Sequence, residues 1–205
     1  MKTVQLLIDG GHLMATARKA GIKYSPDFIE RVAQQAVEPN TEDLIRVLYY
    51  DCAPYRGTAR LPISGLQTEF KGDGGWLDDL ARRDLFAVRK GVLKFRGWTR
   101  KDGASSQPLS DADFKPNFVQ KGVDLRIGLD LSNLANHRSV DRVLMIAADT
   151  DLIPAMKYGR VCGLQIVSVV HPGVRLSGEF LAHVDLRRER PWPTAVESAP
   201  ALAAS

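Results

Sequence analysis

At 205 residues, 44% hydrophobic and 25% charged, the chain reads as one soluble globular domain with room for a full core and a small insertion, and no apolar run approaches a membrane span. Its two cysteines, Cys52 and Cys162, lie far apart with no C-x-x-C and no Cys/His cluster, which argues against a zinc site or a disulfide framework and for reduced thiols. A net charge of +4 and an isoelectric point near 9.1 lean toward acidic partners such as nucleic acid.

The opening "MKTVQLLIDGGH" has one lysine and a short apolar run before Asp9. That is too short for a signal peptide, so a cytoplasmic protein is expected. "TVQLLI" (3–8) predicts a strand, followed at once by "DGG" and a helix, "HLMATARKAG", ending on Gly21. "SPDFIERVAQQAV" predicts a helix with Ser25 as N-cap and Pro26 in the first turn. "DLIRVLYYD" (43–51) is a near-continuous apolar strand, as expected where both faces are covered. A helix is expected around 66–83, interrupted by Gly72, Gly74 and Gly75. Residues 85–98 predict two short strands about Arg89–Gly91, or one long bulged strand. The polar stretch 99–117 predicts a loop. Residues 121–136 predict a helix with Val123, Ile127, Leu131 and Leu134 in register, and 141–149 a strand. "LIPAMKYGRV" predicts a helix closing near Gly159, "LQIVSVV" (164–170) a strand, and "LSGEFLAHVD" a last short helix. A domain over 1–190 is expected, with a disordered Pro/Ala-rich tail over 191–205.

This alternation predicts an α/β fold: a three-layer α/β/α sandwich with a mainly parallel, Rossmann-like sheet. Ligands of such sheets gather beyond the carboxyl ends of the strands, where the strand order reverses. Asp9 ends the first strand and Asp149 ends "MIAAD", so both are expected at that edge, with Asp151 just beyond. Asp124, in the first turn of its helix, joins them if it faces the same way. Each carboxylate has a local alternative. Asp9 can make an Asx-turn, Asp151 can cap the helix at Leu152, and Asp124 can favour a helix N-terminus. Together they repel one another unless a hard cation offsets them, and oxygen ligands without His or Cys select Mg²⁺ or Mn²⁺.

"LLIDGGHL", "QKGVDLRIGLDL" and "MIAADTDLIPAM", in that order, resemble the NYN domain, a family of the PIN-like superfamily of metal-dependent ribonucleases. The likeness runs from about residue 3 to 186. Asp9 and Gly10 match the Asp-Gly pair that closes the first strand; Lys121, Val123 and Asp124 match Lys-x-Val-Asp; Asp130 matches a further aspartate; Ala148, Asp149 and Asp151 match the small residue before Asp-x-Asp. "YYDCAPYR" (49–56) also resembles a segment of bacterial members. His12 stands where many members carry Asn or an aromatic, and Ala148 where Gly or Ser is frequent.

The resemblance implies a PIN-like sheet and hydrolysis of RNA phosphodiesters. Asp9, Asp124, Asp149 and Asp151 would be the catalytic set, holding Mg²⁺ or Mn²⁺ directly or through water. Asp130 lies about 120° round the helix from Asp124, so it is expected to support the site rather than ligate. His12 is a second supporting group, able to meet a phosphate or a metal-bound water, or else an interior-facing histidine at a helix start. Lys121 is expected on a phosphate, or solvated before its helix.

Residues 82–101 carry eight basic side chains, Arg82, Arg83, Arg89, Lys90, Lys94, Arg96, Arg100 and Lys101, against the single acid Asp84, with Phe86, Phe95 and Trp98 interleaved. Such a mixture suits single-stranded RNA. Strand periodicity puts Lys94, Arg96 and Trp98 on one face, opposite Phe95; a solvated strand face over a Phe95 core is the plain alternative. Arg56 and Arg60 extend the expected RNA track. The expected function is thus a Mg²⁺/Mn²⁺-dependent ribonuclease acting on single-stranded RNA, away from membranes, with homodimerisation left open. The alternative is a non-catalytic RNA-binding or regulatory module. A haloacid dehalogenase phosphatase would need D-x-D where this chain has Asp9-Gly10-Gly11, and no nucleotide-binding glycine motif occurs.

Overall fold

β1 (Lys2–Asp9) is a run of apolar residues whose neighbours point to opposite faces. Leu6 and Ile8 enter one hydrophobic cluster and Leu7 another, so a single short strand feeds two cores. The computed structural model describes residues 1–103 and 108–194. After β1 come α1 (Gly10–Lys19) and α2 (Pro26–Ala36). Ser25 caps α2 by accepting the Phe28 N–H at 3.2 Å, with Pro26 in its first turn. β2 (Glu42–Cys52) pairs in parallel with β1.

The expected helix over 66–83 proves to be a strand, a turn and a short helix. β4 (Gln67–Lys71) pairs antiparallel with β3 (Arg56–Arg60) just before it, and only α3 (Gly75–Ala81) is helical. Gly72 abuts Pro54 and the Tyr55 carbonyl, where any side chain would collide, and the chain changes direction there. β5 (Phe86–Arg100) is the long bulged strand. The predicted loop over 99–117 is shorter than expected, because β6 (Phe114–Lys121) pairs antiparallel with β5; residues 104–107 of it lie outside the described residues.

α4 (Val123–Asn136), β7 (Arg142–Ile146), α5 (Ile153–Val161), β8 (Gln165–Val170) and α6 (Gly178–Leu181) follow much as expected. β9 (Leu186–Glu189), which the sequence did not signal, closes the sheet. Within the stretch assigned to the tail, Trp192 stacks on His171 with ring centroids 4.2 Å apart and packs on Phe28. Packed chain therefore continues past 190; residues 195–205 lie outside the described residues.

The seven-stranded sheet has the order β6-β5-β2-β1-β7-β8-β9, parallel except for β6. The chain winds outward from β1 through β2 to β5, then returns to start again at β7 on β1's other side. The order thus reverses between β1 and β7. Helices flank the sheet: α1, α2 and α3 supply Leu13, Phe28, Val32 and Leu77 to one cluster, while α4, α5 and α6 supply Ile127, Leu131, Met156 and Phe180 to the other. Among the described residues no helix is long and apolar enough to cross a membrane.

Candidate functional site

Asp9 ends β1 and caps α1. Its backbone is extended, and its Oδ1 accepts the His12 N–H at 3.1 Å. Gly10 follows because nothing larger fits: a Cβ there would lie 2.8 Å from the Tyr50 carbonyl oxygen and against the Tyr49 hydroxyl. Gly10→Ala should therefore destabilise the fold by about 1–3 kcal/mol, as overpacking does, read as a lower urea midpoint. An unchanged midpoint would mean that β1 and β2 are not so tightly apposed.

Beyond β7, Asp149 caps a short 3-10 turn (Thr150–Leu152), its Oδ1 accepting the Asp151 N–H at 2.8 Å. The cap expected of Asp151 thus belongs to Asp149. Asp151 is exposed, and Asp124 stands in the first turn of α4.

These carboxylates also feel one another. Asp9 is raised from 3.8 to about 6, first by burial, with the negative charges of Asp124 and Asp51 adding and the His12 and Gly11 N–H groups opposing. Asp124 is raised too, first by burial and then by Asp149 and Asp151. The charges of both ends of the switch point therefore meet. As placed, however, no three His, Cys, Asp or Glu side chains among the described residues stand close enough to hold one metal ion.

Asp51 is a fifth carboxylate, which the sequence reading passed over. It is 4% exposed at the end of β2. Its Oδ1 accepts the Cys52 N–H at 2.7 Å and Gln120 Nε2 at 3.3 Å, and its Oδ2 accepts the Tyr49 hydroxyl at 3.2 Å. Tyr49 in turn bonds Tyr24 across 2.7 Å. With its oxygens so engaged, Asp51 ties β2 to β6 and contributes charge. Its signal was available: like Asp9 and Asp149, it terminates an apolar strand.

Asp130 accepts the Tyr50 hydroxyl at 2.9 Å and Arg89 Nε at 3.1 Å. It holds α4 against β2 and β5. His12 is half-buried, and its imidazole pKa is lowered first by burial and then by nearby His171.

The basic stretch 82–101 divides. Arg82, Arg83, Arg89 and Lys90 are paired with Asp79, with Asp27 and Glu30, with Asp130, and with Asp78. Lys101 donates to the Ala112 carbonyl at 2.8 Å. Lys94 and Arg96 are exposed and have no ion pair among the described residues. Trp98 does not share their face. A bulge between Phe95 and Trp98, at Gly97 with φ 95°, shifts the alternation by one residue. Trp98 therefore turns inward, its ring 5.5 Å from Phe95 and 6.0 Å from Phe70, with its indole N–H on the Arg60 carbonyl at 2.8 Å. Arg56 Nε donates to the Gly72 carbonyl at 2.6 Å. Arg56, Arg60 and Lys121 are exposed, with Lys121 at the end of β6, just before Gly122 opens α4.

No protein-family model matches the sequence, and no curated protein matches it. The fold is similar to the crystal structure of a protein of unknown function from Vibrio parahaemolyticus, with 15% identity over 92% of each chain and a TM-score of 0.53. At that identity the likeness concerns the fold alone.

Proposed function

We propose that the chain is a Mg²⁺- or Mn²⁺-dependent ribonuclease of the PIN-like type, a three-layer α/β/α sandwich that hydrolyses single-stranded RNA at the carboxyl edge of its sheet. The observation that carries this reading is a chain of like charges at the switch point: burial, helped by Asp124 and Asp51, lifts Asp9 to about 6, and Asp124 is itself raised by burial and by Asp149 and Asp151. Clustered perturbed carboxylates at such an edge are a mark of function.

The donor set is oxygen alone, which fits a hard divalent cation; Asp9, Asp124, Asp149 and Asp151 would hold it. When bound, such an ion activates water and offsets charge on the phosphate. The chain's own residues do the rest. Asp130 braces α4 through Tyr50 and Arg89, which fixes Asp124. Lys121 meets a phosphate, and His12 hydrogen-bonds a phosphate oxygen from the first turn of α1.

One observation favours the non-catalytic RNA-binding module instead: no three ligands converge as placed among the described residues. Labelled single-stranded RNA and DNA, incubated with the protein in Mg²⁺, Mn²⁺ or EDTA, separate the readings. Cleavage of RNA with either ion and none in EDTA is expected. RNA binding without cleavage in every condition would select the module.

A further inference from the structure

β5 continues well past the end of β2, which pairs it only from Phe86 to Gly91. From Val92 onward its partner is β6, so the two strands form a ribbon reaching beyond the carboxyl edge of the parallel sheet. Its two faces differ sharply. One carries Phe95, Trp98 and Phe118, which pack with Tyr55 and Phe70 of the β3–β4 segment into an aromatic cluster with neighbouring centroids 5.4–6.1 Å apart.

The other face is set by register. Val92 is opposite Lys121, Lys94 opposite Val119, and Thr99 opposite Lys115, and directly opposed residues of antiparallel strands point to the same side. Arg96 keeps the alternation of Lys94 up to the bulge. Lys121, Lys94, Arg96 and Lys115 therefore share one exposed face, about 20 Å long at strand rise. Neither strand contains an Asp or Glu, and none of these four side chains has an ion pair among the described residues.

We infer that this face of the β5–β6 ribbon binds the sugar-phosphate backbone of a single polynucleotide strand, read by charge alone. The inference rests on the ribonuclease reading above and specifies how its substrate is held. The four charges lie in one row along the ribbon, so a single backbone can follow all of them, whereas each backbone of a duplex curves across such a row. The aromatic side chains lie on the other face, Phe95 and Phe118 by alternation and Trp98 through the bulge, so the bases are left unread. On that other face Gln120 reaches Asp51. Lysines and Pro116 on an edge strand also deter edge-to-edge pairing, so that role is the competitor to be tested.

The test is fluorescence anisotropy of a labelled 12-nucleotide oligouridylate with the full chain in EDTA, across a salt series. Four phosphate contacts predict a log–log salt slope near −3, at about 0.7 per contact on a single strand. Replacing Lys94, Arg96 and Lys115 together by Gln should weaken binding at least tenfold and flatten the slope by about 2. The charge-conserving Lys94→Arg, Arg96→Lys, Lys115→Arg chain should bind as the parent does. Oligodeoxythymidylate of equal length should compete, because phosphate and not the 2′-hydroxyl is read. Unchanged affinity and slope in the Gln variant would overturn the inference, as would absence of binding by the parent or a preference for duplex. Association of the Gln variant into larger species with RNA affinity intact would assign the lysines to edge protection. Since EDTA separates binding from cleavage, loss of the ribbon site leaves the nuclease reading standing, and a protein that binds but never cleaves leaves the ribbon site standing.

Discussion

Asp9→Asn should make the metal-free protein more stable at pH 7 while lowering RNA cleavage on the order of 10³-fold, a few kcal/mol of lost transition-state stabilisation. The two effects share one cause. Asp9 titrates near 6 in the folded chain against 3.8 in the unfolded one, so the unfolded state sheds its proton first. Stability from the neutral carboxyl is complete below 3.8 and is lost as the pH rises through about 6. By pH 7 the penalty is about 3 kcal/mol, at 1.36 kcal/mol per unit. Asparagine removes the charge and still caps α1 through its side-chain oxygen. Thermal melts of the metal-free proteins should show a gain of about 1–3 kcal/mol in the variant, and a flatter pH dependence between 4 and 6. Added Mn²⁺ should raise the melting temperature of the parent and not of the variant. A variant less stable than its parent at pH 7 would make Asp9 a helix cap and nothing more.

The second large effect lies at the opposite edge of the sheet. Glu42, at the start of β2, is 2% exposed. Its carboxylate is bound by Arg142 of β7 and by Arg188 of β9, whose Nη2 stands 2.7 Å away. Burial alone would raise its pKa. Hydrogen bonds from Arg188, the Glu38 N–H and Arg142 outweigh burial and hold it at about 2. Glu42→Gln leaves Arg142 without a counter-charge and Arg188 with only Glu38, 3.9 Å away, which for a buried network costs about 3–5 kcal/mol. In a chain of this size that is a drop in melting temperature of roughly 10 °C. The contribution of Glu42 is present above 4.5 and disappears as the pH falls toward 2. Asp9 and Glu42 therefore tilt the pH profile in opposite directions, and the metal-free protein should be most stable between about 4 and 5. A Glu42→Gln melt within 2 °C of the parent would show the network to be surface decoration.

The parallel half of the fold was legible because its signals are strong. β1, β2 and β7 are apolar runs closed by Asp, β8 is one that stops at His171-Pro172, and α2 announces itself through Ser25 and Pro26. β4 and β6 were hidden because "QTEFK" and "FKPNFVQK" are half-polar: each buries one aromatic face and solvates the other. β9 is four residues with two arginines, held by pairing with β8 rather than by its own composition. Three carboxylates of the site were readable as strand ends or helix starts. Trp98 was misplaced because simple alternation cannot foresee a bulge, although Gly97 marks the spot. Half of the basic stretch is taken up by ion pairs; Asp79 is local to Arg82, but Asp27, Glu30, Asp78 and Asp130 are remote in sequence or lie on another element, so alternation alone did not show them.

The position of β1 has a kinetic consequence. It is the inner strand between β2, which follows soon after it, and β7, whose residues come more than 130 positions later. As the chain leaves the ribosome, β1, β2 and β5 can pair early, but one long edge of β1 stays bare until Arg142–Ile146 has been made. An open apolar edge is a template for wrong pairing, and closing it requires a slow, non-local contact. Chaperone dependence and aggregation should peak in nascent chains shorter than about 150 residues. By the same order of events, Asp9 meets Asp149 only when that edge closes, so a truncated chain never assembles the acidic cluster.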